Sequence, residues 1–508
     1  MPNRMFRTIS REGGTIAAYL ATLATILAGV AFPRGRVWAV STWNLLGSAV
    51  PYLALLAGLL CLLVLLFIAH KTSPEDESNP PASSWWWPAV LFTILLAVLF
   101  VAFRARTHFL GDGYTLLANL ASAHPLIKLR NLGEEVLHLW VREATGTVGE
   151  GAALVSYQLV SFACGVGFVV LTAITAHLLF ARRFERILFL LGLTTAGYMP
   201  LFFGYVENYS AFVFSVGMFT LIGILIVRQK IGRWLILPML FISILLHVFG
   251  VLLIPAALYV LLADNKLMRR VTNLSSRTKW LLVSIIAIAG VGLYWWLRSH
   301  FLFIRFAVLP VVRDAFTVDG YTLLSLSHLL DIVNLLFLLV PGIAIAAVLL
   351  VRTRQWSFLS APECRFLLLL AVPCFLAVVV FDPKLGMARD WDLMSFAGVS
   401  LAVLAYLVVL RSRASATTRV LSAGGMIVLS ILFLIPRLVA QTDESIALRR
   451  FEQLVELDHS RNRNAFSQLI DYHLQHGRPE LAKQARRQFD RRYPEWGQLQ
   501  LLEKLIAS

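Results

Sequence analysis

Charge and cysteine are both scarce in this chain. Only 15% of its 508 residues are Asp, Glu, Lys or Arg, far too few for a disordered chain when apolar residues are this abundant. Four cysteines are too few for a disulfide-stapled secreted domain, and the apolar content also excludes a collagenous chain. Cys61, Cys164 and Cys374 sit inside apolar runs and Cys364 in a short loop, so all four read as packing residues. What is present instead is 58% hydrophobic residues and a mean hydropathy of +0.74, the composition of a membrane protein. Length therefore counts spans rather than soluble domains. The formal charge of +16 belongs in such a chain to one face of a bilayer, and no nucleic-acid partner is expected.

A helix that crosses a bilayer needs roughly 17 to 25 apolar residues. Such runs occur at 15–32, 49–69, 87–103, 152–180, 187–205, 211–227, 281–297, 329–351, 366–381, 393–410 and 420–435. The first follows Arg4, Arg7 and Arg11 without a convincing cleavage site and is kept as a span, a signal-anchor being the alternative. The stretch 234–263 is too long for one upright helix and holds His247 and Gly250, so it reads as two short helices meeting near His247. The expectation is an all-α polytopic bundle of about 13 spans. A cytoplasmic N-terminus then puts every short basic loop on the cytoplasmic side: 182–186, 228–233, 266–279, 352–354 and 411–419. The expected location is a membrane such as the bacterial inner membrane, with the C-terminus outside the cytoplasm.

Three regions follow. Residues 1–85 hold two helices and an acidic Pro/Ser linker, KTSPEDESNPPASS, that suggests an appendage to the main bundle. Residues 86–440 form the core, with a long external loop at 104–151. Residues 441–508 form a charged helical tail, in which NAFSQLIDYHLQHGRPELAKQARRQF (464–489) fits a helical hairpin turning at Gly477 and Pro479. Its order of small residue, Leu, Tyr, Gly-Arg and Ala resembles one tetratricopeptide repeat, which implies a surface for a protein partner.

Ionisable residues near span ends are costly unless paired or hydrated, which makes each a functional candidate. In FRARTHFLGDGYTLLANLASAHP, Asp112 lies between two glycines that allow a tight turn and close ligand approach, and Tyr114 opens a short interfacial helix. An ordinary Gly-Asp-Gly turn is the alternative. NLGEEVLHLWVRE (131–143) is a second interfacial helix, with Leu132, Val136 and Leu139/Trp140 opposite Glu134 and Glu135. In GYVENYS, Glu207 sits between two apolar helices with almost no loop, as a site residue or a solvated cap. In DPKLGMARDWDLMS, Lys384 and Arg389 could bind a phosphate while Asp390 and Asp392 orient a hydroxyl or a metal; Arg389 and Asp392 could equally pair on one helix face. In SHLLDIVN, His328, Asp331 and Asn334 share a helix face directed into the bundle. Either histidine, His247 or His328, could be a ligand-binding or a structural group.

Topology puts Asp112, Glu207, Asp390, Asp392 and His328 on one face of the membrane. An acidic residue in a long first external loop, Asp112, a second at the next external junction, Glu207, and paired short helices around His247 resemble the GT-C glycosyltransferases over about residues 87–440. The resemblance implies a sugar transferase, hexosyl or pentosyl, that uses a polyprenyl-phosphate-sugar donor. It implies a catalytic base at Asp112, assistance from Glu207 in positioning acceptor or metal, and a lipid-phosphate pocket for which Arg389 and Lys384 are the candidates. Asp390, Asp392, His328, Asp331, His247 and Tyr114 complete the substrate-binding set. Family members often carry an adjacent acidic pair where this chain has Asp112-Gly113, so a divalent metal (Mg or Mn, on Asp112 and Glu207) stays an open alternative to metal-free transfer. The expected partners are the lipid donor, membrane lipid, and a glycan, lipid or protein acceptor. Two other classes compete: a secondary transporter coupled through Glu207 and Asp331, though no internal repeat supports it, and a scaffold acting through its tail.

Overall fold

The computed structural model describes residues 2–71, 83–146, 149–262 and 274–494. The linker at 72–82, the basic residues at 266–270 and the end of the tail at 495–508 lie outside the described residues. The chain is all-α and multi-pass, its regular β contact among the described residues reduced to one antiparallel bridge between Val308 and Phe381.

Among the described residues, seven helices are long and apolar enough to cross a membrane: Glu12–Ala31, Val50–Ala69, Trp85–Ala102, Glu150–Leu179, Ser210–Val227, Pro362–Val380 and Ala416–Thr442. Leu326–Leu339 and Ile343–Thr353 pass the same test only as a pair, bent by 88° at the break between them. The remaining apolar runs are the shorter helices Arg233–Leu246, Val248–Leu262 and Phe396–Leu410, the 12-residue helix Arg183–Thr194 and the 25-residue helix Ser276–His300. Against the expected count of about 13 spans, seven helices, or eight counting the bent pair, have the length to cross among the described residues, and the 187–205 run is helical only as far as Thr194 before a short 3-10 turn at Met199–Phe202. The 234–263 stretch does break at His247, whose extended backbone ends one helix while its Nδ1 accepts the Phe249 N–H at 3.1 Å to start the next turn. Gly250 lets the two arms close, since a Cβ there would lie 2.6 Å from the Ser243 carbonyl oxygen.

One core runs through the bundle, built from Phe168, Tyr198, Phe202, Phe219 and Phe366, and it takes in Tyr19, Leu23 and Leu62 of the first two helices. Those helices lie on the Ile343–Thr353 and Ala416–Thr442 helices, with the Tyr19 hydroxyl donating to the Gly58 carbonyl at 2.7 Å. The outward faces remain strongly apolar, as at Leu53, Leu63, Trp87 and Leu91, which is how a helix meets lipid rather than water.

The bundle has two chemically distinct ends. At one, the basic loops interlock: Arg411 and Arg228 both pair with Glu363, and Arg419 with Glu185. Glu12 accepts from the Thr418 hydroxyl at the same end. At the other end gather the loops 103–112, 203–209, 307–325 and 382–395, joined by backbone bonds such as Ala105 N–H to Phe203 and Asp382 N–H to Ala307. The tail closes over this second end. Its helices Glu444–Val455, Arg463–Gln475 and Pro479–Arg492 bury Phe451, Phe466, Leu469 and Phe489 around Phe109 of the 103–112 loop. Asp443 caps the first tail helix by accepting the Ile446 N–H at 2.9 Å. The last two form a hairpin through Gly477, whose φ of +65° ends the preceding helix, and Pro479, which opens the next.

Candidate active site

Gly111 brings the acidic residues together. Its φ is +65°, and a Cβ on it would sit 2.1 Å from Glu207 Oε1 and 2.8 Å from Asp392 Oδ2. The missing side chain is therefore what lets two carboxylates from distant segments close on the 111–113 turn. Gly113 is as tightly held, with a Cβ position 2.7 Å from the His108 carbonyl oxygen. The Asp112 backbone N–H donates to Glu207 Oε1, while the Asp112 carboxylate makes no capping bond to the Gly113–Ala121 helix it precedes. Asp112 is half-buried; Glu207, Asp390 and Asp392 are buried.

Each buried carboxylate has protein donors. Asp392 Oδ2 accepts from the Tyr205 hydroxyl at 3.1 Å and Oδ1 from the Leu393 N–H at 2.8 Å. Asp390 Oδ2 accepts from the Leu385 N–H at 2.8 Å. Loss of water drives their titration upward. Burial, then repulsion from Asp392 and Asp112, holds Glu207 well above the carboxylate range. Burial and then Asp390 likewise raise Asp392. Burial pushes Asp390 to about 6, against the pull of the Leu385 N–H.

Among the described residues, no group of three or more His, Cys, Asp or Glu side chains could hold a metal ion. One oxygen each of Glu207, Asp390 and Asp392 accepts an N–H or O–H donor from the protein.

Arg389 supplies the adjacent positive charge. It is 2% exposed, donates to Asn462 Oδ1 of the tail at 2.9 Å, and reaches the Phe109 and Gly111 carbonyls and Gln468 Oε1 at 3.4 Å each. Its Nε has no partner, and burial lowers its proton affinity while Asp390, Asp112 and Asp392 oppose that. The expected alternative, an Arg389–Asp392 pair on one helix face, is not formed, because 387–395 is a succession of turns before the Phe396–Leu410 helix begins. Lys384 lies at the rim, paired with Asp382 at 2.8 Å and 3.7 Å from the centre of the exposed Phe306 ring.

Two further arginines were not singled out by the sequence. Arg437 is buried at the end of the Ala416–Thr442 helix, donates to the Gly197 carbonyl at 2.8 Å and stacks 4.0 Å above the Trp391 ring. Arg450 is buried in the first tail helix, and burial pulls it down to about 10 against the influence of Tyr205. The Nε atoms of both lack partners. Arg437 falls at the edge of an apolar run, which is a signal; Arg450 follows Arg449 with nothing in the sequence to say which of the two turns inward.

The remaining predicted residues are distributed around this cluster. Tyr114 meets Phe109 edge-to-face and Tyr472 at a tilt, ring centres 5.0 and 5.7 Å away, where loop meets tail. His247 is ringed by Phe249 at 4.8 Å, Phe212 at 5.0 Å and Tyr209 at 5.8 Å. Asp331 belongs to a separate network: it accepts from Arg36 at 2.6 Å, Trp38 Nε1 at 2.8 Å and the Tyr321 hydroxyl at 2.9 Å. His328 meets the same hydroxyl at 3.1 Å, and Asn334 bonds the Ala39 N–H and the Arg36 carbonyl. Arg36 also reaches Asp458 of the tail at 2.8 Å.

Leu132–Ala144 is amphipathic as expected, and its polar side faces the protein. Glu134 is buried and accepts the Phe212 N–H at 2.7 Å at the start of the Ser210–Val227 helix. Glu135 accepts the Lys128 N–H and weakly, at 3.5 Å, the amide of Asn208 beside Glu207.

Neither a family model nor a curated protein sequence matches the chain. Among solved structures, the crystal structure of ArnT from Cupriavidus metallidurans in the apo state is similar with a TM-score of 0.41 at 12% identity, covering 77% of this chain and 81% of that one.

Proposed function

We propose that this chain is an integral-membrane glycosyltransferase of the GT-C kind, which transfers a sugar from a polyprenyl-phosphate donor to an acceptor hydroxyl on the non-cytoplasmic face. The observation that carries the reading is the meeting of Asp112, Glu207, Asp390 and Asp392 with Arg389 at the end of the bundle opposite the interlocked basic loops. By the distribution of Lys and Arg, that end is non-cytoplasmic.

In this mechanism the half-buried Asp112 carboxylate takes the proton of the acceptor hydroxyl as its oxygen bonds to the anomeric carbon. The bond from that carbon to the phosphate oxygen breaks, and its electron pair leaves with the polyprenyl phosphate. Arg389 offsets the charge of the departing phosphate, with Arg437 and Arg450 as further cations at the same end. Glu207, whose ionisation burial opposes, fixes the 111–113 turn by accepting the Asp112 N–H and so holds the Asp112 carboxylate in place for the acceptor. Lys384 at the apolar rim is suited to meet the lipid phosphate first.

Asp112→Asn should reach the membrane at the native level and transfer no sugar. Full activity in that variant would remove Asp112 from the mechanism and with it this reading.

A further inference from the structure

The tail does more than cap the acidic cluster. Between its Arg463–Gln475 helix and the Gly113–Ala121 helix lies a cavity of about 570 Å³, within the size range of small-molecule sites. Four aromatic residues line it, His108, Tyr114, Tyr472 and His476, together with Gln468, Asp471, Gln475 and Glu150. The charged lining is one arginine, Arg106, against two acids, so the wall holds no surplus of cations with which to select a polyanion. Aromatic rings combined with amide and carboxylate groups in one lining suit a ligand that has C–H faces and hydroxyls.

Two observations connect this cavity to chemistry. His108 is buried and lines the cavity, and its Nδ1, closed to solvent, has no hydrogen-bond partner, a costly state. Burial pushes its imidazole down to about 4, so the ring adds no positive charge to the cavity near pH 7. Gln468 both lines the cavity and contacts Arg389 at 3.4 Å, and the cavity-lining helix begins directly after Asp112. A ligand in the cavity therefore has one end directed at the acidic cluster.

We propose that this cavity is a binding subsite for a neutral, hydroxyl-rich saccharide, which the loop and tail hold together. The subsite rests on its own lining; only the name acceptor for its occupant rests on the transferase reading.

The test uses the full chain in lipid nanodiscs and saturation-transfer NMR with neutral oligosaccharides of roughly four to six residues built from glucose, galactose, mannose or N-acetylglucosamine. At least one should bind. Ala118→Trp, which fills the cavity from an exposed position on its wall, should weaken that binding roughly tenfold or more. Gln475→Ala, a change at an exposed tail position, should weaken it without altering the melting temperature, and Ala118→Ser should bind as the native chain does. If no oligosaccharide of the set binds, or if both Ala118→Trp and Gln475→Ala bind like the native protein, the subsite is overturned. If binding behaves as expected while the native protein consumes no polyprenyl-phosphate-sugar, the subsite stands and the transferase reading falls.

Discussion

Gly111 decides the shape of the acidic cluster, since the space its side chain would take is occupied by Glu207 and Asp392. Gly111→Ala must displace Glu207 Oε1, 2.1 Å from the new methyl, and hold a non-glycine residue at φ +65°. Displacement of a positioning group by about 1 Å costs on the order of 100-fold in rate. We expect a loss of that size in sugar transfer with normal membrane insertion; turnover within about twofold of native would show that the turn is not part of the site. Asp390 carries a pH signature. Its folded-state titration is raised to about 6, so the ionised form is tolerated less well in the folded protein than in the unfolded chain. Its penalty is absent below about pH 4, grows as pH rises and is complete above about pH 6, amounting to about 2 to 3 kcal/mol. Asp390→Asn, which keeps an acceptor for the Leu385 N–H, should therefore melt higher than the native protein at pH 8 and no higher at pH 4. A gap that is the same at both values would contradict that assignment. At this scale the sequence was informative where a residue was chemically out of place. Asp112 in a Gly-Asp-Gly turn and Glu207 in a nearly loopless junction were visible; the inward turn of Arg450 depends on packing against distant segments and was not.

Among the helices, Leu132–Ala144 separates what periodicity reveals from what it cannot. Spacing established one apolar and one polar face, yet in a membrane protein either can turn inward, because lipid and core are both apolar. Here Glu134, Glu135 and His138 are buried while Leu129 just before the helix is 87% exposed and Trp140 65%. That apolar side is expected to rest in the lipid interface. A nitroxide on Leu129→Cys, in a Cys61→Ser background, should be more accessible to dissolved oxygen than to a water-soluble nickel relaxant; the reverse order would put this helix in water. The break at His247 was legible for a simpler reason, namely that 234–263 exceeds one span. Its two arms turn back so that Tyr259 near the end of the second lies beside Glu363 and Arg365 of the basic end. By contrast, the 88° bend between Leu326–Leu339 and Ile343–Thr353 falls within a continuous apolar run and left only Pro341 and Gly342 as a trace.

At the scale of the molecule, the tail is part of the end that holds the acidic cluster. The sequence identified a helical extension and read it as a partner surface; its docking onto Phe109, Arg389 and Asp382 depends on contacts between segments far apart in the chain. Arg36 ties the assembly together by bridging Asp331 of the bundle and Asp458 of the tail. Removing one member of a buried ion network leaves its partners uncompensated, at a cost of about 3 to 5 kcal/mol. Arg36→Ala should thus lower the melting temperature and speed proteolytic release of the tail, detected as a shortened membrane fragment; unchanged protection would mean that the tail is held by its apolar contacts alone. The central claim concerns the cluster beneath that tail. Its most direct measurement is release of radiolabelled sugar from polyprenyl-phosphate-sugar donors by the purified chain in nanodiscs, compared between the native protein and Asp112→Asn. The native protein should turn over the donor and the variant should not; equal release by both, or none from any donor by the native protein, would rule out an Asp112-centred transferase.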